Sequence, residues 1–182
     1  MTVPSGLTKG TWTLDGAHSE VGFAVRHAGI SKVRGSFDLV EAGLNVGDSL
    51  ADSSVTAVAK ADSFNSGDDN RDAHVRGEDF FDTAKFPELS FASTGLSGDG
   101  EAFKLAGDLT IRGITKPVTF DAEFNGVAVD AFGTTRTGIS ANTVISRKEF
   151  GLTWNAALEA GGVLVSDKVA INLDVAFVAP SE

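Results

Sequence analysis

The three histidines of the chain, His18, His27 and His74, are its first candidates for chemistry. A catalytic zinc ion commonly takes three nitrogen or oxygen ligands from the protein, so three imidazoles are enough for one site. However, no two of them are spaced to share one face of a strand or one turn of a helix. The sequence therefore predicts no metal and no cofactor. A metal-dependent hydrolase that uses these three histidines is kept as an alternative.

A second candidate is the acidic run from Asp68 to Asp72, which resembles the start of a calcium-binding loop. Asp68, Asn70 and Asp72 occupy the first, third and fifth positions of such a loop. Ala73 stands where the loop requires glycine, and Asp79 stands where it requires a longer glutamate. We therefore interpret the run as the capped start of a helix. Because the sequence also lacks cysteine, a Gly-x-Ser-x-Gly elbow and a glycine-rich phosphate loop, it predicts no catalytic residue.

Composition restricts the class of protein further. The chain has 182 residues, of which 42% are hydrophobic, and this is enough for one domain with a substantial core. Its formal net charge of −10 would repel nucleic acid or an anionic bilayer over most of the surface. The sequence therefore predicts no nucleic-acid partner, and the absence of an apolar run of about 20 residues predicts no stable insertion into a membrane.

The first ten residues carry neither the apolar stretch nor the cleavage site of a secretory signal. This predicts a cytoplasmic location, or an exported protein if Met1 was placed on a processed chain.

Alternating apolar residues predict a chain made mostly of strands. The alternation is clearest on the odd-numbered positions of 103–111 and 169–177, and it recurs in 118–124 and 139–145. Residues 112–117 are predicted to form a hairpin connection. Strands with one apolar face must close into a barrel or stack as a sandwich, and closure also removes the open edges. We therefore predict an all-β fold, a single antiparallel β-barrel.

The alternation stops between residues 63 and 87, where the sequence predicts a short helical insertion around residues 68–82. The insertion carries Arg71 and His74, with Phe80 and Phe81 behind them as a candidate lid. We expect Arg71 and His74, with His18 and His27, to lie near the mouth of the barrel and to orient the polar end of a ligand.

A barrel of about eight strands can enclose one ligand. Large residues on the inward faces are therefore expected to line a cavity, although some of them could instead close its base. They are Phe23, Val25, Phe37, Phe91, Phe120, Phe124, Ile139 and Ile145. Burying about ten methylenes contributes roughly 8 kcal/mol, whereas a hydrogen bond to a charged group contributes about 1.5 to 3 kcal/mol. The apolar tail of a ligand should therefore set the affinity.

Several runs of the sequence occur together, and in the same order, in one known family. They are residues 12–27 with 33–37, residues 71–82 with 86–91, residues 107–118 and residues 146–154. These runs resemble motifs of YceI-like proteins, the polyisoprenoid-binding family. The resemblance covers most of residues 11–178.

The resemblance implies a lipocalin-like barrel over residues 11–178, flanked by an N-terminal extension (1–10) and a C-terminal tail (179–182). It implies a homodimer that holds a long isoprenoid, a quinone-type tail or another amphiphilic lipid, and it adds Arg147 to the residues at the mouth. Our leading interpretation is therefore a non-catalytic binding or carrier protein. The alternatives are the metal-dependent hydrolase and a structural or stress-associated dimer whose barrel is filled.

Overall fold

Nine β-strands and one α-helix form most of the regular structure in residues 2–181, which the computed structural model describes. The strands are β1 (Gly10–His27), β2 (Ser31–Phe37), β3 (Leu39–Val46), β4 (Ser54–Lys60), β5 (Glu88–Asp99), β6 (Ala102–Ile111), β7 (Ile114–Val129), β8 (Thr135–Ser146) and β9 (Val165–Val178). The helix α1 spans Asp69–Arg76, and single-turn 3-10 helices span Leu50–Asp52, Ala61–Ser63 and Arg147–Phe150. Met1 and Glu182, which belong to the predicted extension and tail, lie outside the described residues.

The strands form one closed antiparallel barrel. From β3 to β9 each strand pairs with the next along the chain, and β9 pairs with β1 to close the sheet. The long strand β1 pairs with β3 through its first residues and with β2 through its last ones. As a result, β2 and β3 together occupy one position in an eight-stranded wall. The predicted fold class is confirmed.

The inward face of the wall is the one that the alternation predicts. In β6 the side chains of Phe103, Leu105, Leu109 and Ile111 are buried and line the interior, while Lys104 is exposed. In β9 the odd-numbered residues from 169 to 177 also line the interior. The register is firmly specified because a shift by one residue would expose all of these side chains together.

The connection between β6 and β7 is shorter than predicted. The turn contains only Arg112 and Gly113, whose φ angles are 51° and 71°, and Ile111 pairs directly with Ile114. Positive φ at both central positions is typical of a type I′ turn, whose twist matches that of the flanking strands. The predicted connection over 112–117 is therefore wrong beyond residue 113, because the two-residue turn allows pairing to begin at Ile114.

The predicted helical insertion is present as α1 and the turn that follows it. A carboxylate oxygen of Asp68 accepts a hydrogen bond from the Arg71 amide at 2.9 Å, as expected for a helix N-cap. After the helix, the Phe81 amide donates to the Val75 carbonyl at 3.0 Å. This bond folds the turn that contains Phe80 and Phe81 back onto the helix.

The two ends of the barrel differ. One end, which we call the base, is closed by buried side chains that pack together, with Val3 and Leu7 against them. These side chains are Trp12, Leu44, Val46, Leu50, Leu96, Phe124 and Phe177. The opposite end, which we call the mouth, is formed by the β1–β2 turn (28–30), the β6–β7 turn (112–113) and segments 61–87 and 147–164. No helix within residues 2–181 has the length and apolar character needed to cross a bilayer.

Candidate functional site

A cavity of about 550 Å³ lies inside the barrel, between the base and the mouth. Its wall is made mainly of aliphatic and aromatic side chains from the strands. The exposed residues Arg26, Asn70 and His74 also contact the cavity, so it reaches solvent at the mouth. Its volume lies in the range of about 300 to 1,000 Å³ that is typical of small-molecule sites. The barrel is therefore open inside, unlike the filled barrel that we considered as an alternative.

Most of the side chains predicted to line a cavity do contact this one. They are Phe23, Val25, Phe37, Phe91, Phe120, Ile139 and Ile145. Phe124 is buried in the base instead, where it packs near Leu50 and Leu96. Alternation places Phe124 on the inward face of β7 correctly, but the residue lies too close to the base to reach the cavity.

Two glycines keep aromatic rings close to the wall. A Cβ atom on Gly107 would lie 2.6 Å from an edge carbon of the Phe91 ring and 2.6 Å from the Ala92 carbonyl oxygen. One on Gly35 would lie 2.6 Å from an edge carbon of the Phe23 ring and 2.5 Å from the Asn65 carbonyl oxygen. Real Cβ atoms do not approach other atoms this closely. Glycine at these two positions therefore lets each ring pack against backbone, which leaves more of the interior open.

Aromatic rings pack beneath the insertion at the mouth. The Phe81 ring lies 5.3 Å from the Phe37 ring in an edge-to-face arrangement, and the Phe80 ring lies 5.4 Å from that of Trp154. Phe80 and Phe81 both line the cavity. They therefore connect the insertion to both the barrel wall and segment 147–164. Their role as a lid stays a prediction.

Arg71 lines the cavity and is anchored to its own insertion. Its Nε donates to Ser66 Oγ at 2.7 Å, and its Nη2 donates to the Ser66 carbonyl at 2.9 Å. Ser66 Oγ donates in turn to an Asp72 carboxylate oxygen at 2.5 Å. Within residues 2–181, Arg71 forms no direct ion pair with a carboxylate, so Ser66 links it to the buried Asp72.

Arg147 is 3% exposed and is held by backbone carbonyls. Its Nη1 donates to the carbonyls of Leu152 (2.6 Å) and Trp154 (2.9 Å). Its Nε and Nη2 donate to the carbonyls of Ser166 and Val165 at 2.9 and 3.2 Å. These bonds join the first part of segment 147–164 to the start of β9.

The surroundings of Arg147 and Asp167 shift the pKa of each side chain. Burial lowers the pKa of Arg147 from its ordinary value, and the nearby Asp167 carboxylate opposes that change. Asp167 is a hydrogen-bond acceptor from Ser146 Oγ at 2.7 Å and from the Lys148 amide at 3.2 Å. The bond from Ser146 is the main cause that lowers the pKa of Asp167.

The three histidines are not brought together. His27 and His74 line the cavity, and His74 Nε2 lies 2.9 Å from a carboxylate oxygen of Asp79. The His18 side chain is 70% exposed and does not line the cavity, and its Nδ1 lies 2.8 Å from Asp15. The prediction that His18 lies near the mouth is therefore not met.

His18 lies outside the cavity because β1 is irregular: the register of β1 with β9 shifts between Asp15 and Glu20. Alternation counted from Val21 therefore does not extend back to His18. Arg136 contacts the same Asp15 carboxylate as His18 and also binds Asp130, and its bond lowers the pKa of Asp130. No three histidine, cysteine or acidic side chains within residues 2–181 are grouped to hold a metal ion.

Several residues around the cavity are absent from the sequence prediction. Val75 lies one helical turn after Arg71, so helix periodicity could have identified it. Leu152, Trp154 and Leu164 line the cavity from a segment without regular strands. No periodic pattern marks such residues, although Trp154 ends the run 146–154 that resembles a family motif.

Comparisons with known proteins agree with this geometry. A family model described as the YceI-like domain matches residues 12–177. A UPF0312 protein of Staphylococcus aureus (strain bovine RF122 / ET3-1) is 39% identical over 171 residues, which are 91% of this chain and 96% of the relative. The crystal structure of the Campylobacter jejuni YCEI protein is 32% identical with a TM-score of 0.72, and the match covers 93% of this chain and 98% of that one.

Two more distant structures share the fold. Burkholderia cenocepacia BcnA is 21% identical with a TM-score of 0.76, and the match covers 90% of this chain and 98% of BcnA. A domain from Saccharophagus degradans, described as polyisoprenoid-binding and implicated in plant cell wall breakdown, is 17% identical with a TM-score of 0.66. That match covers 93% of this chain and 98% of the Saccharophagus domain.

Proposed function

Because this chain belongs to the family of YceI-like domains, we propose that it is a non-catalytic binding protein that encloses the apolar chain of a lipid. The observation that carries the proposal is the apolar cavity of about 550 Å³, closed at the base and open at the mouth. A chain that enters from the mouth can bury its apolar end while its polar end stays near water.

The size of the cavity limits how much of a chain it encloses. A water molecule takes up about 30 Å³, and a methylene group is about as large. The cavity therefore holds about 18 methylene groups. At about 0.8 kcal/mol for each buried methylene, their gross contribution is about 14 kcal/mol. One hydrogen bond to a charged head contributes only about 1.5 to 3 kcal/mol. The apolar chain therefore sets the affinity, and any longer chain extends out of the mouth.

The chemical class of the chain is an isoprenoid, as a free polyisoprenoid or as the tail of a quinone-type lipid. Support comes from the description of the Saccharophagus degradans domain as polyisoprenoid-binding. The branched and aromatic side chains of the wall, such as Ile139, Ile171 and Phe120, suit the methyl-branched surface of such a chain.

The polar residues of the mouth orient the head of the ligand. Arg71, His74 and His27 line the cavity with nitrogen atoms that are able to reach a ligand. Arg147 uses all three of its nitrogens on backbone carbonyls, so it positions segment 147–164 around the mouth. In this proposal Phe80 and Phe81 cover the bound chain.

A variant whose cavity is partly filled by a larger side chain tests the proposal. The side chain of Ala57 lines the cavity, whereas that of its neighbour Thr56 is exposed. Ala57→Phe should reduce the cavity and lower the amount of lipid that solvent extracts from the purified protein, measured by mass spectrometry. The matched control Thr56→Phe adds a ring outside and should leave the extracted lipid unchanged. Equal lipid in both folded variants, or no binding of an added apolar chain by the native protein, would contradict the proposal.

A further inference from the structure

Among residues 2–181, the ionisable side chains that line the cavity are all basic. They are Arg26, His27, Arg71, His74 and Arg147. No carboxylate from residues 2–181 lines the cavity, although the whole chain has 25 acidic residues against 15 lysines and arginines. The lining therefore has the opposite charge balance to the rest of the molecule.

The helix α1 separates its charges by face. Arg71, His74 and Val75 lie on the side that lines the cavity, as expected for positions three and four residues apart. Asp69 is exposed to solvent, and Asp72 is buried beside Ser66. The acidic residues of the insertion therefore support the helix without entering the cavity.

Arg71 has a free donor group. Its Nε and Nη2 are bonded to Ser66, and its Nη1 has no hydrogen-bond partner within residues 2–181. The Ser66 bonds restrict the rotation of the guanidinium, so the free group is already positioned before a ligand binds.

Arg147 adds positive potential at the cavity, although its nitrogens are all bonded to backbone carbonyls. Its hydrogen-bond partners are neutral carbonyls, and the acidic side chain that acts on it is Asp167, which already accepts bonds from Ser146 and Lys148. His74 is different because Asp79 contacts it at 2.9 Å and offsets its charge when it is protonated. Among residues 2–181, the cavity-lining cations that no carboxylate contacts directly are therefore the arginines, and Arg71 meets Asp72 only through Ser66.

We infer that the lipid bound in the cavity carries an oxyanion head, a carboxylate or a phosphate, which accepts a hydrogen bond from Arg71. This inference rests on the proposed function and adds the chemical class of the head. A guanidinium is well suited to both kinds of oxyanion, because its planar donors match their oxygen atoms. Arg71 is half-buried at the mouth, so such a pair is screened less there than it would be in water.

Four probes with the same chain test the inference: hexadecanoate, hexadecyl phosphate, hexadecanol and hexadecyltrimethylammonium, each below its micelle concentration. Hexadecanoate, the phosphate or both should bind about tenfold more tightly than the alcohol, from the difference between charged and neutral hydrogen bonds. The cationic probe should bind more weakly than the alcohol. Equal affinities for the acids and the alcohol would overturn the inference and leave the proposed function standing. Failure of all four probes to bind would overturn both.

Arg71→Met should remove the preference for oxyanions while binding of hexadecanol stays within about twofold. The matched control is Arg34→Met, because Arg34 is exposed on β2 outside the cavity and its removal changes the net charge equally. Thermal unfolding should show that both variants are folded. If Arg71→Met is unstable, Arg71→Lys keeps the charge and should retain the preference. Equal loss of preference in the Arg71 and Arg34 variants would show a general charge effect and overturn the inference.

Discussion

The two tryptophans of the chain lie at opposite ends of the barrel and have different surroundings. Trp12 is fully buried in the base, where its indole N–H donates to the Thr8 carbonyl at 2.9 Å. Trp154 is half-buried at the mouth, 4.8 Å from the ring of His74. The base is therefore packed like an ordinary protein core, whereas the mouth leaves a large ring partly exposed beside the cavity.

The base and the mouth therefore differ in how much they contribute to stability and to ligand binding. Packed side chains with no space around them contribute most to the free energy of unfolding. A partly exposed ring at the mouth contributes less to folding but offers surface that a bound chain can cover. We therefore expect variants at the base to act mainly on stability and variants at the mouth mainly on the ligand.

The largest expected effect is the loss of the Trp12 ring. Trp12→Ala should lower the free energy of unfolding by about 3 to 5 kcal/mol, because it leaves a cavity in the packed base. Trp154→Ala should lower it by about 2 kcal/mol or less and should reduce the lipid that the protein retains. Urea unfolding followed by circular dichroism, with lipid extraction, measures both. Equal losses of stability would remove the distinction between the two ends.

A smaller effect is expected where a glycine keeps a ring against the wall. Gly107→Ala should push the Phe91 ring toward the cavity and weaken binding of an apolar chain. Because the new Cβ would also meet the Ala92 carbonyl, the free energy of unfolding should fall by about 1 to 3 kcal/mol. Gly95→Ala is the matched control, because nothing lies within 4 Å of a Cβ at that position. Calorimetric titration of both variants with the same chain makes the comparison. Equal binding by the two would mean that Phe91 does not limit the cavity.

The smallest effect concerns Asp167, which is bonded to Ser146 and Lys148 beside the mouth. Its folded-state pKa is lowered, so its contribution to stability is full above the unfolded-state pKa and is lost as the pH falls through the folded-state pKa. Asp167→Asn should therefore be less stable than the native protein above about pH 5, and the difference should shrink in more acidic solution. Thermal unfolding between neutral and acidic pH measures this. A difference that grows on acidification would contradict the assignment.

Local sequence patterns predicted the wall better than the mouth. Period-two alternation identified the inward faces of β6 and β9, and the Asp68 cap marked the start of α1. Alternation tells which face of a sheet a residue occupies, but not how far it lies along the barrel axis. Alternation therefore predicts Phe124 as a candidate for the cavity wall, whereas the residue lies in the base.

The remaining differences arise where the chain is irregular. A register shift in β1 places His18 on the outer surface, and two-residue strand periodicity cannot anticipate such a shift. Segment 147–164 is held by the guanidinium of Arg147 through contacts to distant carbonyls, which no local pattern encodes. The homodimer, the cytoplasmic location and a carrier role stay predictions from the sequence.

The central feature of the proposed function is an apolar chain that lies inside the barrel. Titration with a series of straight-chain carboxylates of increasing length tests this directly. Affinity should rise by about fourfold for each added methylene and should level off near about 18 carbons, when the cavity is full. An affinity that does not depend on chain length would contradict the account, because it would mean that the chain stays outside the barrel.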